Sequence, residues 1–237
     1  GILSEMKKFV LPNDYPDMSS SLMHIYLIEA GPRLLAGMSE ESSAHAEQFL
    51  REMGVNILLN KRVVDYRDHK VVLEDGTEIA TRTFIWVSGV TGVTIGNLDA
   101  SLIGRGGRIK VDSFNRVEGM NNVFAIGDQC IQLADENYPN GHPQLAQVAI
   151  QQGELLAKNL IRMEKGQEMK PFHYRNLGSM ATVGRNRAVA EFSKVKMQGW
   201  FAWVMWLVVH LRSILGVRNK VIVLLNWVWN YFTYDQS

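Results

Sequence analysis

The chain has 237 residues, enough to bury the core of one large domain or two small ones, and a formal net charge of +1, so no charge bias points to nucleic acid. A single Cys, Cys130, rules out an internal disulfide and a Cys-only zinc site within this chain, and the six His show no metal-ligand spacing. Hydrophobic content is ordinary at 46%, but five of the six Trp fall between Trp200 and Trp229.

Taken in order, Gly1-Ile-Leu-Ser-Glu-Met-Lys-Lys reads as the middle of an amphipathic helix running to about Leu11, not as a signal peptide. Pro12 to Ser21 is a polar connection. Met23 to Ile28 reads as a central strand ending at Glu29. An acid there is either an ordinary strand-end residue or, in a Rossmann-type half, the group that binds the adenosine ribose of NAD. Ser39 is a helix cap followed by Glu40 and Glu41. Ala46, Phe49, Leu50 and Met53 form a helical stripe, and Gly54 stops it. A strand over Val55–Leu59 follows, then a meander of Val63–Tyr66, Val71–Leu73 and Thr77–Ala80 with an Asp75-Gly76 hairpin signal. Thr83 to Val90 reads as another buried strand, with a turn at Ser88-Gly89.

Arg108–Val111 and Val123–Ile126 are further expected strands. The second ends at Gly127-Asp128, where a Gly admits close approach of a ligand and a carboxylate accepts hydrogen bonds from sugar-like hydroxyls. A long helix is expected from Pro143 to about Arg162, its N-terminus favouring negative charge. Strand, Gly-Asp and helix start together suit a flavin, with the carboxylate on the ribityl side and the helix N-terminus at the pyrimidine edge. Alone, Gly-Asp is equally a capped strand end. Gly178–Ala190 reads as a hairpin turning at Gly184 to Arg187. Strands alternating with helices, plus a meander, indicate an α/β fold.

The last forty residues differ from the rest. Trp200 to Val209 is continuously apolar, Arg212, Arg218 and Lys220 follow, and Val221 to Phe232 carries Trp227 and Trp229. Neither apolar run reaches the roughly 20 residues of a spanning helix. Two short helices with a Gly216 turn fit better. Trp200, Trp203, Trp206, Trp227 and Trp229, with Arg212, Arg218 and Lys220, suit the headgroup level of an anionic membrane surface. A buried helical hairpin or a homodimer contact is the alternative use of the same stripe.

Leu27-Ile-Glu-Ala30, Val123-Phe-Ala-Ile-Gly-Asp128, Ala146-Gln-x-Ala-x-Gln-Gln-Gly153 and Gly178-Ser-Met-Ala-Thr-Val-Gly-Arg185 occur in the order that resembles the type II (alternative, non-proton-pumping) NADH:quinone oxidoreductases, two-dinucleotide-domain flavoproteins. The resemblance covers essentially the whole chain. It implies the C-terminal part of an FAD/NAD(P)-binding, glutathione-reductase-like fold with a membrane-anchoring helical hairpin. The implied domains are residues 1–97 of the NAD domain, 98–170 of the FAD domain and 171–237 for the hairpin and anchor, with the first boundary near Thr94–Leu102.

No Gly-x-Gly-x-x-Gly occurs, so the chain reads as a fragment cut after the NAD glycine motif, and Phe232 to Ser237 reads as cut short too. The resemblance assigns Gly127, Asp128, Ala146 and Gln147 to FAD, and Glu29, Ser88 and Gly89 to NADH. It assigns Gln147, Arg185 and Ala188 to quinone. Members often carry Lys at the position of Arg185. It further implies a peripheral, monotopic enzyme on the cytoplasmic face of the membrane that passes a hydride from NADH to FAD and two electrons to quinone, with no metal. The fragment alone is expected to be inactive. A soluble FAD-dependent disulfide reductase and a non-catalytic membrane-associated module are the competing readings.

Overall fold

The computed structural model describes residues 1–93, 95–193, 195–214 and 216–233. The expected ending at Tyr234–Ser237 and the Thr94 edge of the expected boundary lie outside them. The chain forms two compact units, one of Gly1–Phe84 with the chain from Gly178 on, the other of Ile85–Leu177.

The first unit opens with α1 (Ile2–Glu5), a π-helical stretch over Met6–Val10 and α2 (Leu11–Asp14), so helix runs past the expected end at Leu11. β1 (Ile25–Ile28) pairs in parallel with β2 (Val55–Leu58), Ile25 opposite Val55. The crossover between them is α3 (Glu40–Glu52). Ser39 caps α3 by accepting the Ser42 N–H at 3.4 Å, with Glu40 and Glu41 in the first turn as the helix dipole favours. Ala46 and Leu50 bury against Val55 and Ile57, and Phe49 and Met53 pack on their rim. Gly54, at φ 82°, ends the helix.

β3 (Val63–Arg67), β4 (Lys70–Leu73) and β5 (Glu78–Ala80) form the expected antiparallel meander, with Gly76 at φ 83° in its second turn. Asp75 receives hydrogen bonds from Lys61 and from the Thr77 N–H, which hold its carboxyl down at about 2.

β8 (Ser179–Gly184) and β9 (Arg187–Phe192) are the expected late hairpin, turning at Arg185-Asn186 with Asn186 at φ 61°. A third strand, β10 (Val195–Gln198), joins them and was not anticipated. Its alternation is Val195, Met197 against Lys196, Gln198, too short to stand out from a linker. Two helices close the unit: α5 (Gly199–Ser213) and α6 (Val217–Thr233), either side of Gly216 as expected. Ala202 of α5 is fully buried on Ala188 and Ala190 of β9, where small side chains let helix and sheet approach.

The second unit is built on β6 (Ile109–Val111) and β7 (Cys130–Gln132), a parallel pair with Ile109 opposite Cys130. Ile109, Val111, Val117, Ala125 and Cys130 form its core. Two expected strands are corrected here. Val123–Ile126 does not form the expected buried strand: it makes one antiparallel bridge, Phe124 to Arg116, flanked by the Val117 N–H donating to the Val123 carbonyl at 2.9 Å and the Ala125 N–H to the Asn115 carbonyl at 3.0 Å; Ala125 alone is buried, and Val123 is 47% exposed. Thr83–Val90 lies in no sheet, and Val87 is 86% exposed. An apolar run becomes a sheet strand only when a neighbour pairs along its length: Thr83–Val90 has no such neighbour among the described residues, and Val123–Ala125 pairs only briefly, with Asn115–Val117.

α4 (Ala146–Glu164) begins three residues after the expected Pro143, with Leu145 as N-cap. Its buried residues are Val148, Gln152 and Asn159, so a mostly polar face turns inward, while Leu145 and Leu160 stay exposed. Three amides on α4 pair with the backbone of 170–177. Gln147 Oε1 accepts the Leu177 N–H at 3.1 Å. Gln151 pairs both ways with Arg175, at 2.9 and 3.1 Å. Asn159 pairs both ways with Lys170, at 2.8 and 2.9 Å. At spacings of four and eight, they lie on one helix face and serve a segment that belongs to no sheet.

Candidate functional site

Gly127-Asp128-Gln129 forms a single 3-10 turn between Ile126 and β7. Gly127 sits at φ 65°, and a Cβ there would meet the Ala149 Cβ at 3.2 Å, so both the backbone and α4 require glycine. Three polar contacts fix the turn from behind. Gln152 Oε1 accepts the Gly127 N–H at 2.7 Å. The Cys130 thiol donates to the Gly127 carbonyl at 3.5 Å, and Gln152 Nε2 donates to the sulfur at 3.6 Å. Burial pushes the Cys130 thiol up from its ordinary value, which keeps it protonated and able to donate. Arg108, itself buried, donates to the carbonyls of Cys130 at 2.6 Å and His142 at 3.1 Å, and so ties β7 to the approach of α4.

The front of the turn is open. Asp128 is exposed, and its carboxylate accepts no hydrogen bond among the described residues; only its carbonyl is engaged, by Gln144 at 3.1 Å. Gln129 pairs both ways with the Val93 backbone, at 2.8 and 2.6 Å. Leu145 makes no side-chain cap hydrogen bond to α4, whose first turn opens with Ala146 and Gln147. Ala146 is exposed and Gln147 half-buried. The turn and the start of α4 therefore present, close together, a carboxylate acceptor and helix N–H donors, a set able to hold hydroxyls on one side and a partial negative charge on the other.

Ser88 and Gly89 belong to the same unit, in the exposed stretch, with Gly89 at φ 79°. Glu29 belongs to the first unit, at the end of β1, where its Oε1 accepts the Gly31 N–H at 2.7 Å. Arg185 and Ala188 are also in the first unit. The Arg185 N–H donates to Glu5, and its guanidinium donates to the carbonyls of Asn230 and Tyr231 at 3.0 and 3.2 Å and lies 5.6 Å over the Tyr231 ring. It thereby caps the last turn of α6, where a cation meets the negative end of the helix dipole. Ala188 is fully buried beneath α5.

In the helical hairpin, Trp203 and Trp206 of α5 face Tyr231 and Trp227 of α6, at ring distances of 5.7 and 6.5 Å. Trp200 and Trp229 are exposed, as are Phe201, Val217, Leu225 and Phe232. Arg212, Arg218 and Lys220 sit at the Gly216 end. No described helix is long and apolar enough to cross a membrane. The described residues hold no group of three or more potential metal ligands.

Gln152, Cys130 and Arg108 are the residues that the sequence pattern left without a role. Gln152 lies inside the Gln-Gln-Gly signature, and its signal was its position two turns into a helix that starts beside Gly127.

The model of the pyridine nucleotide-disulphide oxidoreductases matches residues 11–153. The chain belongs to that family. The NDH2 C-terminal domain model matches residues 176–234. Among curated relatives, the type II NADH:quinone oxidoreductase NdhA of Mycobacterium tuberculosis is 33% identical over 96% of this chain and 50% of its own length. The internal alternative NAD(P)H-ubiquinone oxidoreductase A1 of Arabidopsis thaliana is 32% identical over 88% of this chain and 44% of its own. The chain spans about half the length of these relatives. Among solved structures, NDH2 from Plasmodium falciparum in complex with NADH superposes with a TM-score of 0.86 at 18% identity, over 98% of this chain and 62% of that one. The fold is thus the α/β fold of these oxidoreductases, and the expected family is confirmed.

Proposed function

We propose that the protein containing this chain is a type II NADH:quinone oxidoreductase and that this chain supplies the second half of its flavin site, the distal NAD domain and the quinone-side hairpin. The observation that carries the reading is the Gly127-Asp128 turn locked on the start of α4, in a chain whose relatives are named for that activity.

FAD fits the residues present: a glycine that α4 requires, an unengaged carboxylate, and an uncapped helix start. Bound there, FAD supplies the hydride acceptor and the two-electron donor. Asp128 holds hydroxyls of the ribityl side. The N–H groups at Ala146 and Gln147 stabilise negative charge on the pyrimidine edge. Gln147 faces the quinone, to which the resemblance assigns Arg185 and Ala188 as well. Glu29 accepts from the adenosine ribose of NADH, and its charge repels a 2′-phosphate. Ser88-Gly89 passes beside the nicotinamide nucleotide. Residues 1–97, 98–170 and 171–237 are the shares of the NAD domain, the FAD domain and the hairpin with anchor. The exposed Trp and apolar faces of α5 and α6, with Arg212, Arg218 and Lys220, lie in the headgroup region of the cytoplasmic face of an anionic membrane, where a lipid-soluble quinone enters. The same faces are available for a homodimer contact.

The test is a spectrum of the full-length protein. It should show bound flavin, bleach with NADH and recover on adding quinone. A flavin that NADH bleaches but only a thiol or disulfide substrate reoxidises would favour a soluble disulfide reductase instead.

A further inference from the structure

Arg108 is a buried charge to which the proposed chemistry gives no task. It is 9% exposed and lies in the second unit, immediately before β6. Its Nε donates to the Cys130 carbonyl at 2.6 Å and its Nη2 to the His142 carbonyl at 3.1 Å. A Cβ on Gly141 would fall 3.6 Å from Nη1, so the Gly141 backbone closes over the third nitrogen.

Among the described residues no carboxylate pairs with Arg108. The buried Asp135 is engaged by the His142 ring at 3.0 Å. Asp128 acts on Arg108 through its field, but from an exposed position where water screens it. Burying a charge without a partner is costly, and here two backbone carbonyls stand in for one. Both carbonyls belong to segments that lead into the Gly127-Asp128 turn or α4. Cys130 is two residues past Asp128, so their Cα atoms are at most about 7 Å apart. His142 is three residues before Leu145, the N-cap of α4. The positive charge is therefore held behind the turn and the helix start together.

We propose that Arg108 is a positioning residue that also tunes the flavin, its charge stabilising the negative charge that hydride transfer puts on the ring. The inference rests on the flavin reading of Gly127-Asp128. NADH gives up two electrons and one proton as a hydride and becomes NAD+, so a neutral ring that accepts it gains one negative charge. A desolvated cation nearby favours that state, and passing the two electrons and the proton on to quinone removes the charge again. A purely structural tie would need the forked guanidinium and not its charge.

The experiment is an equilibrium redox titration of the flavin in the full-length protein against a dye of known potential, with Arg108→Lys and Arg108→Gln beside the unmutated form. Lys keeps the charge and loses the fork, whereas Gln keeps a donor and loses the charge. At a fixed potential the ratio of reduced to oxidised flavin should fall about tenfold in Arg108→Gln and stay within about twofold in Arg108→Lys, as for a unit charge acting over roughly 10 Å at an effective dielectric constant of about 20. An unchanged ratio in Arg108→Gln, or an equal fall in both variants, overturns the proposal. A second readout needs no variant and so holds if Arg108→Gln loses its flavin. In the unmutated protein at mildly acid pH, the ratio should fall about tenfold per pH unit, because one proton accompanies each electron pair. A fall of about a hundredfold, the mark of two protons and an uncharged ring, overturns the proposal and leaves the flavin reading intact. A full-length protein that carries no flavin overturns both.

Discussion

Gln152 shows how one side chain can decide a site it does not line. Its oxygen holds the Gly127 N–H and its nitrogen the Cys130 sulfur, all in a buried setting. Gln152→Ala leaves that N–H without an acceptor, and the cost should be about 1–3 kcal/mol, read as a lower urea midpoint with an unchanged slope. Gly127→Ala should cost about as much, because it adds strain at positive φ to the contact with Ala149. Gln147 calls for a functional test, since it also holds the Leu177 N–H. In the full-length enzyme, Gln147→Ala should slow quinone reduction more than flavin reduction by NADH. Equal loss in both half-reactions, measured by stopped flow, would assign Gln147 to packing of the flavin edge. Of these residues, Gly127, Asp128 and Gln147 could be read from the chain because motif order marks them. Gln152 is marked only by its place in the Gln-Gln-Gly signature, and its role is not, because that depends on a partner far off in sequence that only the folded helix brings near.

The elements divide by how local their causes are. The β3–β4–β5 meander and α3 were readable because Asp75-Gly76 and the Ser39 cap act within a few residues. The Asp75 carboxyl sharpens this into a pH test. Its depressed value, about 2, means that the Lys61 and Thr77 contacts stabilise the hairpin above the ordinary aspartate range and are lost as pH falls through 2. NMR titration should find that low midpoint, and Lys61→Met should raise it towards the ordinary value. By contrast, Thr83–Val90 and Val123–Ile126 look like strands by composition, but the first has no paired neighbour among the described residues and the second only a one-bridge pairing with Asn115–Val117, and β7 and β10 are too short to announce themselves. α4 misleads in another way. Its inward face carries Gln152 and Asn159, and Gln151 pairs with the 170–177 backbone beside them, a use of polar side chains that hydrophobic periodicity cannot register.

Taken as a whole, the chain carries half of the length of its relatives and no glycine-rich phosphate loop of the Gly-x-Gly-x-x-Gly type. The 237-residue chain by itself should therefore bind no stoichiometric FAD and oxidise no NADH. An absorbance spectrum of the purified chain checks this, and a bound-flavin band would show that Asp128 and the α4 terminus suffice. The family was evident from four motifs in register, each weak alone. How the motifs are supported was not, since Arg108, Cys130 and Arg185 act through burial and backbone contacts that leave no mark in local sequence.

The extended stretch from Ile85 to Val90 has a consequence for handling the chain. Ile85, Trp86, Val87 and Val90 are each more than half exposed, on backbone that joins no ladder. Such a segment is adhesive: it can recruit the same segment of another molecule, edge to edge. Colloidal behaviour of the chain would then be set by these few residues and not by its stability. A lysine at Val87, which touches little, should raise the concentration at which the chain stays dispersed and leave its melting temperature unchanged.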